Sequence, residues 1–174
     1  SMGQVAVPRD ALWGAQTQRA VENFPFGAGQ MRRPFLRALG LVKQAAAESN
    51  AFFELLDGPR AAAIAAAAAA VAEGEHDDAF PVDVLQTGSG TSSNMNANEV
   101  IARLASRYSS EEVHPNDHVN YGQSSNDVIP TTIHVSAAIA LSNELIPAVE
   151  SLVRTIEVKA KSVAQYCKTG RTHL

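Results

Sequence analysis

The chain has 174 residues, of which 45% are hydrophobic and 18% are charged, a balance that is typical of globular proteins and excludes a disordered chain. Its formal net charge of −4, without a basic stripe, argues against nucleic acid as the main partner. No uninterrupted apolar run approaches the ~20 residues of a membrane span. The single cysteine, Cys167, excludes an intrachain disulfide and a multi-cysteine metal site. We therefore expect a soluble, cytoplasmic protein without a membrane partner.

The first half of the chain predicts a series of helices. The segment 37–56 carries an apolar stripe at helical spacing. A turn at 57–58 ends it, and Pro59 is suited to the first turn of the next helix. That helix is the alanine-rich segment 60–74, which we expect to end at Gly74 and to let a neighbouring helix approach closely, because its side chains are small.

Two further helices are predicted at 94–110 and 128–167, and only 80–85 alternates as a strand would. Pro130 should lie near the start of the longer helix, and Pro147 should mark a kink or a first turn. The longer helix has two adjacent apolar stripes, so its buried face is wide. Since the chain offers too few partners for that face, we expect association with another chain and no stable monomer.

A glycine-rich polar cluster, "QTGSGTSSNMN", precedes the helix at 94–110. Gly88 and Gly90 permit close approach of a ligand to the backbone, and hydroxyl residues directly before a helix favour an anion such as a carboxylate. The cluster lacks the motifs of nucleotide loops. The alternative interpretation is a turn followed by an ordinary helix N-cap.

A second polar cluster, "VHPNDHVNYGQSSNDV" at 113–128, contains two His, three Asn, two Asp, two Ser and a Gln. The pattern fits neither a structural zinc site nor a pair of catalytic carboxylates. Neutral donors and acceptors dominate, which suits recognition of a small polar anion. A solvated loop with an Asx-turn and an N-cap would explain only some of these residues.

The last segment, "KTGRTHL" at 168–174, follows the longest predicted helix. Gly170 is suited to end that helix. His173 can exchange a proton near neutral pH, so it is the best candidate in the chain for a general acid or base. A single histidine is nevertheless more often structural.

Five motifs, "WGAQTQRAVENF", "TGSGTSSNMNANEV", "HPNDHVN", "QSSND" and "GRTHL", occur in this order. With them the chain resembles the N-terminal part of the class II fumarate hydratases, in the fumarase/aspartase superfamily. Aspartases carry Gln where this chain has His173. An aspartase-like ammonia-lyase remains an alternative, as does a non-catalytic piece that only associates.

The resemblance implies a mainly α fold: a small helical N-terminal domain, residues 1–122, followed at 123–174 by the first long helix of a fumarase/aspartase-type helical bundle. It also implies a homotetramer whose long helices form one shared bundle and whose active sites each take residues from three subunits. A later serine-rich loop of the family supplies a catalytic base. No such loop occurs in these 174 residues, so we expect the chain alone to be inactive.

The implied reaction is the reversible hydration of fumarate to (S)-malate, without metal or organic cofactor. By the resemblance, His173 is the catalytic acid or base. The implied substrate-binding residues are Ser89, Gly90, Thr91, Ser124, Ser125, Asn126 and Thr172. A second, entrance site for a dicarboxylate is implied at His114, Pro115, Asn116 and Asp117. The family has an arginine three residues before that histidine, where this chain has Glu111, whose negative charge would repel a dicarboxylate.

Overall fold

The computed structural model describes residues 3–109, 111–167 and 170. Six helices account for most of them, and an isolated bridge between Gln30 and Asp83 is the only β-type pairing among these residues. The predicted mainly α fold is therefore confirmed. The helices are α1 Ala15–Asn23, α2 Arg33–Phe52, α3 Gly58–Glu73, α4 Thr91–Tyr108, α5 Ser125–Ala140 and α6 Ile146–Val163.

The described residues fall into two compact units, 1–136 and 137–174. In the first unit α3 packs against both α2 and α4, and α1 packs against α4. The apolar core lies between these helices. Its most deeply buried aliphatic side chains are those of Leu39, Ile64, Val71, Val100 and Ile101. The expected domain boundary at residue 122 stays a prediction of the family architecture.

The alanine-rich helix α3 is confirmed; it ends before Gly74 as predicted and begins at Gly58, two residues before the predicted start. The Asp57 carboxylate accepts a hydrogen bond from the amide of Arg60, and Pro59 lies in the first turn. Gly74 closes the helix at a φ of +89°. The small side chains do admit a neighbour, since a Cβ placed on Gly40 of α2 would lie 2.7 Å from the backbone nitrogen of Ala72.

The predicted limits of α2 are wrong at both ends. The helix begins at Arg33 and ends at Phe52, four residues before the predicted end. Glu54 takes a left-handed φ of 57°, and the amides of Leu55 and Leu56 turn back to the carbonyl of Asn50. The apolar residues beyond Phe52 continued the stripe in the sequence but do not continue the helix.

The second unit contains the π-helical turn Leu141–Leu145 and the helix α6. Pro147 lies in the first turn of α6, as predicted, but the helix ends at Val163 rather than near 167. Its predicted apolar side chains are exposed in the structure. They include Leu145, Val149, Leu152 and Ile156. Cys167 is exposed as well.

The sequence has no uninterrupted apolar run of membrane-spanning length, yet one helix among the described residues is long and apolar enough to cross a membrane by length and composition alone. The helix Ser125–Val163 contains an 18-residue window with a mean hydropathy of 1.3 and few charges. Polar residues are interspersed among the apolar ones in this helix, which is why the sequence shows no continuous apolar run. A helix of a soluble bundle has the same length and amphipathic stripe, so this property is weak support for a membrane span.

Candidate active site

Two helix N-termini converge in the first unit, and each carries one of the polar clusters. Gly90, with a φ of +72°, leads into α4, and a Cβ added there would lie 2.9 Å from the Ile129 side chain of α5. Asn94 Nδ2 donates a hydrogen bond of 2.9 Å to Ser125 Oγ in the first turn of α5. Free backbone amides at both helix starts favour a negatively charged ligand between them.

The predicted hydroxyl residues surround this junction. Ser89 Oγ and Thr91 Oγ1 lie 2.9 Å apart, and both side chains are exposed. Ser124 Oγ caps α5 by accepting a hydrogen bond from the amide of Asn126. Six of the predicted binding residues thus lie at or directly before the starts of α4 and α5. They are Ser89, Gly90, Thr91, Ser124, Ser125 and Asn126.

The start of α4 lies three residues earlier than predicted, at Thr91 instead of 94. Gln86 explains how the preceding loop is held. Its Oε1 accepts a hydrogen bond from the amide of Ser93, and its Nε2 donates to Ser93 Oγ at 2.7 Å. Both side chains are buried. Gln86 therefore holds the loop 87–90 against the start of α4, where the side chains of Ser89 and Thr91 stay exposed.

Buried polar groups beneath the site were not predicted from the sequence. Lys43 on α2 is completely buried, and its Nζ donates to Asn120 Oδ1 at 3.0 Å and to Gln123 Oε1 at 2.9 Å. Burial lowers the pKa of Lys43 to about 7, because the charged form loses its hydration. The available signal was the position of Lys43 on the buried stripe of Leu39 and Ala47, at intervals of four residues.

The predicted entrance-site residues lie on the π-helical turn Pro115–Val119. His114 Nδ1 accepts a hydrogen bond from the amide of Asp117 and lies 3.1 Å from its carboxylate. The first contact requires an unprotonated Nδ1 and the second is an ion pair when His114 is protonated. Asn116 is exposed beside them. The structure therefore groups these residues on one exposed turn.

His118 closes the same turn by accepting a hydrogen bond from the amide of His114 at its Nδ1. Loss of hydration is the largest effect that lowers the pKa of His118, and the positive charge of Arg60 adds to it, whereas Asp117 opposes it. A neutral ring is the form that can accept this bond. No cluster of three or more His, Cys, Asp or Glu side chains in the part of the chain described is arranged to hold a metal ion.

Glu111, which stands where the family has arginine, is paired in this structure. Arg60 donates to Glu111 Oε2 and to Asp57 Oδ2, each at 2.6 Å. The three side chains together carry a net charge of −1. Arg60 thus reduces the repulsion that Glu111 alone would exert on an approaching dianion but does not reverse it. Thr172 and His173, the remaining predicted site residues, lie outside the residues that the structure describes.

Most of the described residues lie in α-helices, and the helices α4 and α5 begin next to each other. A family model described as "Lyase" matches residues 3–174, and the chain belongs to this family.

The chain is similar over its whole length to curated proteins named class II fumarate hydratase. It is 59% identical to the one from Halobacterium salinarum and covers 38% of it. It is 58% identical to the one from Xylella fastidiosa and covers 37% of it. The chain therefore spans less than two fifths of the length of these relatives.

Solved structures agree in fold. A recombinant class II fumarase from Schistosoma mansoni is 38% identical, with a TM-score of 0.95 over 99% of this chain and 38% of the other. A fumarate lyase:delta crystallin from Brucella melitensis in its native form is 41% identical, with a TM-score of 0.91 over 99% of this chain and 40% of the other.

Proposed function

We propose that the chain is part of a fumarate hydratase, which interconverts fumarate and (S)-malate, and that the junction of α4 and α5 binds a carboxylate of the substrate. The observation that carries this proposal is the contact between the two polar clusters through Asn94 and Ser125. The similarity to class II fumarate hydratases over the full chain supports the choice of reaction.

The chemistry of the junction suits a dicarboxylate. Fumarate and malate both carry two carboxylates, and the hydroxyls of Ser89, Thr91 and Ser125 can each donate one hydrogen to an acceptor. The dipoles of α4 and α5 add partial positive charge without a fixed cation. Substrate and product can therefore both bind at this end, because each presents a carboxylate.

His173 is the proposed acid or base that handles the hydroxyl or water, with Thr172 beside it in the same site. The base that removes the carbon-bound proton is expected from the serine-rich loop of the family, which is not in this sequence. The reaction needs no metal or organic cofactor in this proposal, and the 174 residues alone would not turn over substrate.

His114, Pro115, Asn116 and Asp117 are proposed as a second, entrance site for a dicarboxylate. Their grouping on one exposed turn supports this role. The net negative charge of Asp57, Arg60 and Glu111 should make this site weaker than one with an arginine at position 111.

We also propose a homotetramer in the cytoplasm that acts in the tricarboxylic acid cycle, with active sites shared among subunits. The exposed apolar side chains of α6, such as Leu152 and Ile156, support burial against other helices.

A spectrophotometric assay of the full-length protein that carries this chain tests the reaction. The absorbance of fumarate should rise when (S)-malate is added and should not rise with L-aspartate. Activity on aspartate alone would replace the proposal with an aspartase-like ammonia-lyase. No activity on either substrate, from a folded oligomer, would favour a protein that only associates.

A further inference from the structure

Lys43 carries a buried amino group without an acidic partner. Its side chain is 0% exposed, and no ion pair within the described residues involves it. Burying an amino group in this way is unfavourable unless its hydrogens are bonded. The two bonds to Asn120 Oδ1 and Gln123 Oε1 provide partners but no compensating charge. A methionine would fill the same space at lower cost, so the amino group needs another explanation.

A chain of hydrogen bonds leads from Lys43 to the candidate active site. Asn120 Oδ1 accepts from Lys43 Nζ at 3.0 Å and also from Asn94 Nδ2 at 3.2 Å. The same Asn94 Nδ2 donates to Ser125 Oγ at 2.9 Å. The side chain of Asn94 is only 1% exposed, so the connection is shielded from water.

The directions of these hydrogen bonds agree with a donor at Lys43, and the bond from Asn120 Nδ2 to the Gln123 carbonyl favours the same orientation of the Asn120 amide. The Lys43 amino group donates both of its hydrogen bonds, so each partner must present an oxygen to it. The amide of Asn120 therefore turns its oxygen, and not its nitrogen, toward Lys43. That oxygen can only accept, so Asn94 must present its NH₂ group. Ser125 Oγ must then accept from Asn94, and its hydroxyl hydrogen is left free for a ligand.

The second bond of Lys43 holds the turn that leads into α5. Gln123 Oε1 accepts from Lys43, while Gln123 Nε2 donates to the carbonyl of Val119 at 2.8 Å. Asn120 Nδ2 in turn donates to the carbonyl of Gln123. Gln123, which directly precedes Ser124, is therefore held in place by hydrogen bonds to buried groups.

We propose that Lys43 is a positioning residue of the substrate site: through Asn120 and Asn94 it orients Ser125 so that the Ser125 hydroxyl donates to a substrate carboxylate. This inference rests on the proposed function of the site. Lys43 itself does not touch the substrate. A purely structural lysine would affect the stability of the protein and leave substrate handling unchanged.

The test is the Lys43→Met variant of the full-length protein, assayed with (S)-malate. Methionine keeps the length of the side chain and removes the amino group; the relief of its desolvation is offset by the unpaired oxygens of Asn120 and Gln123, so the melting temperature should change little. KM should rise about tenfold with a smaller change in kcat, because a hydrogen bond made in both ground state and transition state is weakened. The control Gln44→Met, on the exposed side of α2, should leave KM unchanged.

A double-mutant cycle with Ser125→Ala tests the route of the effect. If Lys43 acts through Ser125, Lys43→Met should change KM by less than about twofold in the Ser125→Ala background. Multiplicative effects of the two substitutions, or a wild-type KM in Lys43→Met, would overturn the inference.

Asn94→Asp gives a second measurement that does not depend on the folding of Lys43→Met. The substitution is isosteric and replaces the donor to Ser125 by an acceptor, which would compete with the substrate for the hydroxyl hydrogen. KM should again rise about tenfold, and an unchanged KM contradicts the inference. If the wild-type protein itself does not convert malate, the proposed function fails first, and this inference fails with it.

Discussion

Asn94 on α4 and Ser125 on α5 are joined by a hydrogen bond of 2.9 Å across 31 residues of sequence. The bond connects two polar segments that looked like separate loops in the sequence. It places two helix N-termini side by side, each with exposed hydroxyls. The binding of a dianion at this junction is the central physical claim, from which the following predictions derive.

Thr91→Val should weaken substrate binding. The substitution keeps the shape of the side chain but removes a hydroxyl at the start of α4, next to Ser89 Oγ. KM for (S)-malate should rise about tenfold, as expected for the loss of one hydrogen bond to a charged group. Initial-rate kinetics of the full-length protein measures this. Thr155→Val, an exposed threonine on α6, is the matched control, and equal kinetics for the two variants would argue against the site.

Glu99→Gln should destabilise the fold. The Glu99 carboxylate on α4 accepts four hydrogen bonds at the start of α1, from the amides of Gly14, Gln16 and Thr17 and from the Thr17 hydroxyl. A glutamine offers one oxygen and turns an NH₂ group toward these donors. The free energy of unfolding should fall by about 2 kcal/mol in urea titrations. Glu48→Gln, at an exposed pair with Gln44, should change it by less than about 0.5 kcal/mol, and equal losses would contradict this interpretation.

Gly40→Ala should destabilise the packing of α2 against α3. A Cβ at this position would lie 2.7 Å from the nitrogen of Ala72 and 2.8 Å from the carbonyl oxygen of Ala68, both of which are backbone atoms. Overpacking should cost about 1–3 kcal/mol and outweigh the better helix propensity of alanine. Thermal unfolding reports the difference. Gly58→Ala, where a Cβ meets nothing within 4 Å, should be neutral or stabilising.

The stability should rise with pH above about 7 because of Lys43. Burial lowers its pKa from 10.5 to about 7, so between these values the unfolded chain binds a proton that the folded chain does not. The free energy of unfolding should therefore increase with pH in this window, by at most about 1.4 kcal/mol per unit. Below pH 7 both states are protonated and the contribution is constant.

Urea titrations of wild type and Lys43→Met over this pH range isolate the contribution of the lysine. The difference in unfolding free energy, wild type minus variant, should increase as the pH rises. A difference that stays flat from neutral to alkaline pH would mean that Lys43 keeps its ordinary pKa in the folded protein.

The ends of a helix could be predicted from the sequence where a proline or a glycine marks them. Pro59 in the first turn and Gly74 at the end mark α3 through their backbone geometry, and the structure agrees. The end of α2 was missed because Phe53 and Leu56 extend the apolar stripe, although the backbone leaves the helix at Glu54. The spacing of apolar residues indicates which face of a helix is buried. It says less about the residue at which the hydrogen bonding of the helix backbone ends.

The hydroxyl and amide residues of the candidate site could be found from their local density in the sequence. The groups beneath them could not, since Lys43 meets Asn120 and Gln123 across 77 and 80 residues. Their contact depends on how α2 packs against the turn that leads into α5. Contacts of this kind are determined by tertiary structure. The sequence indicates this one only indirectly, by a lysine on an otherwise apolar helical stripe.

The most direct test of the central claim is a crystal structure of the full-length protein with bound fumarate. A carboxylate of the ligand should lie between the starts of α4 and α5, with one of its oxygens about 3 Å from Ser125 Oγ and another within hydrogen-bond distance of Ser89 or Thr91. A dicarboxylate bound elsewhere, with no contact to either helix start, would contradict the account.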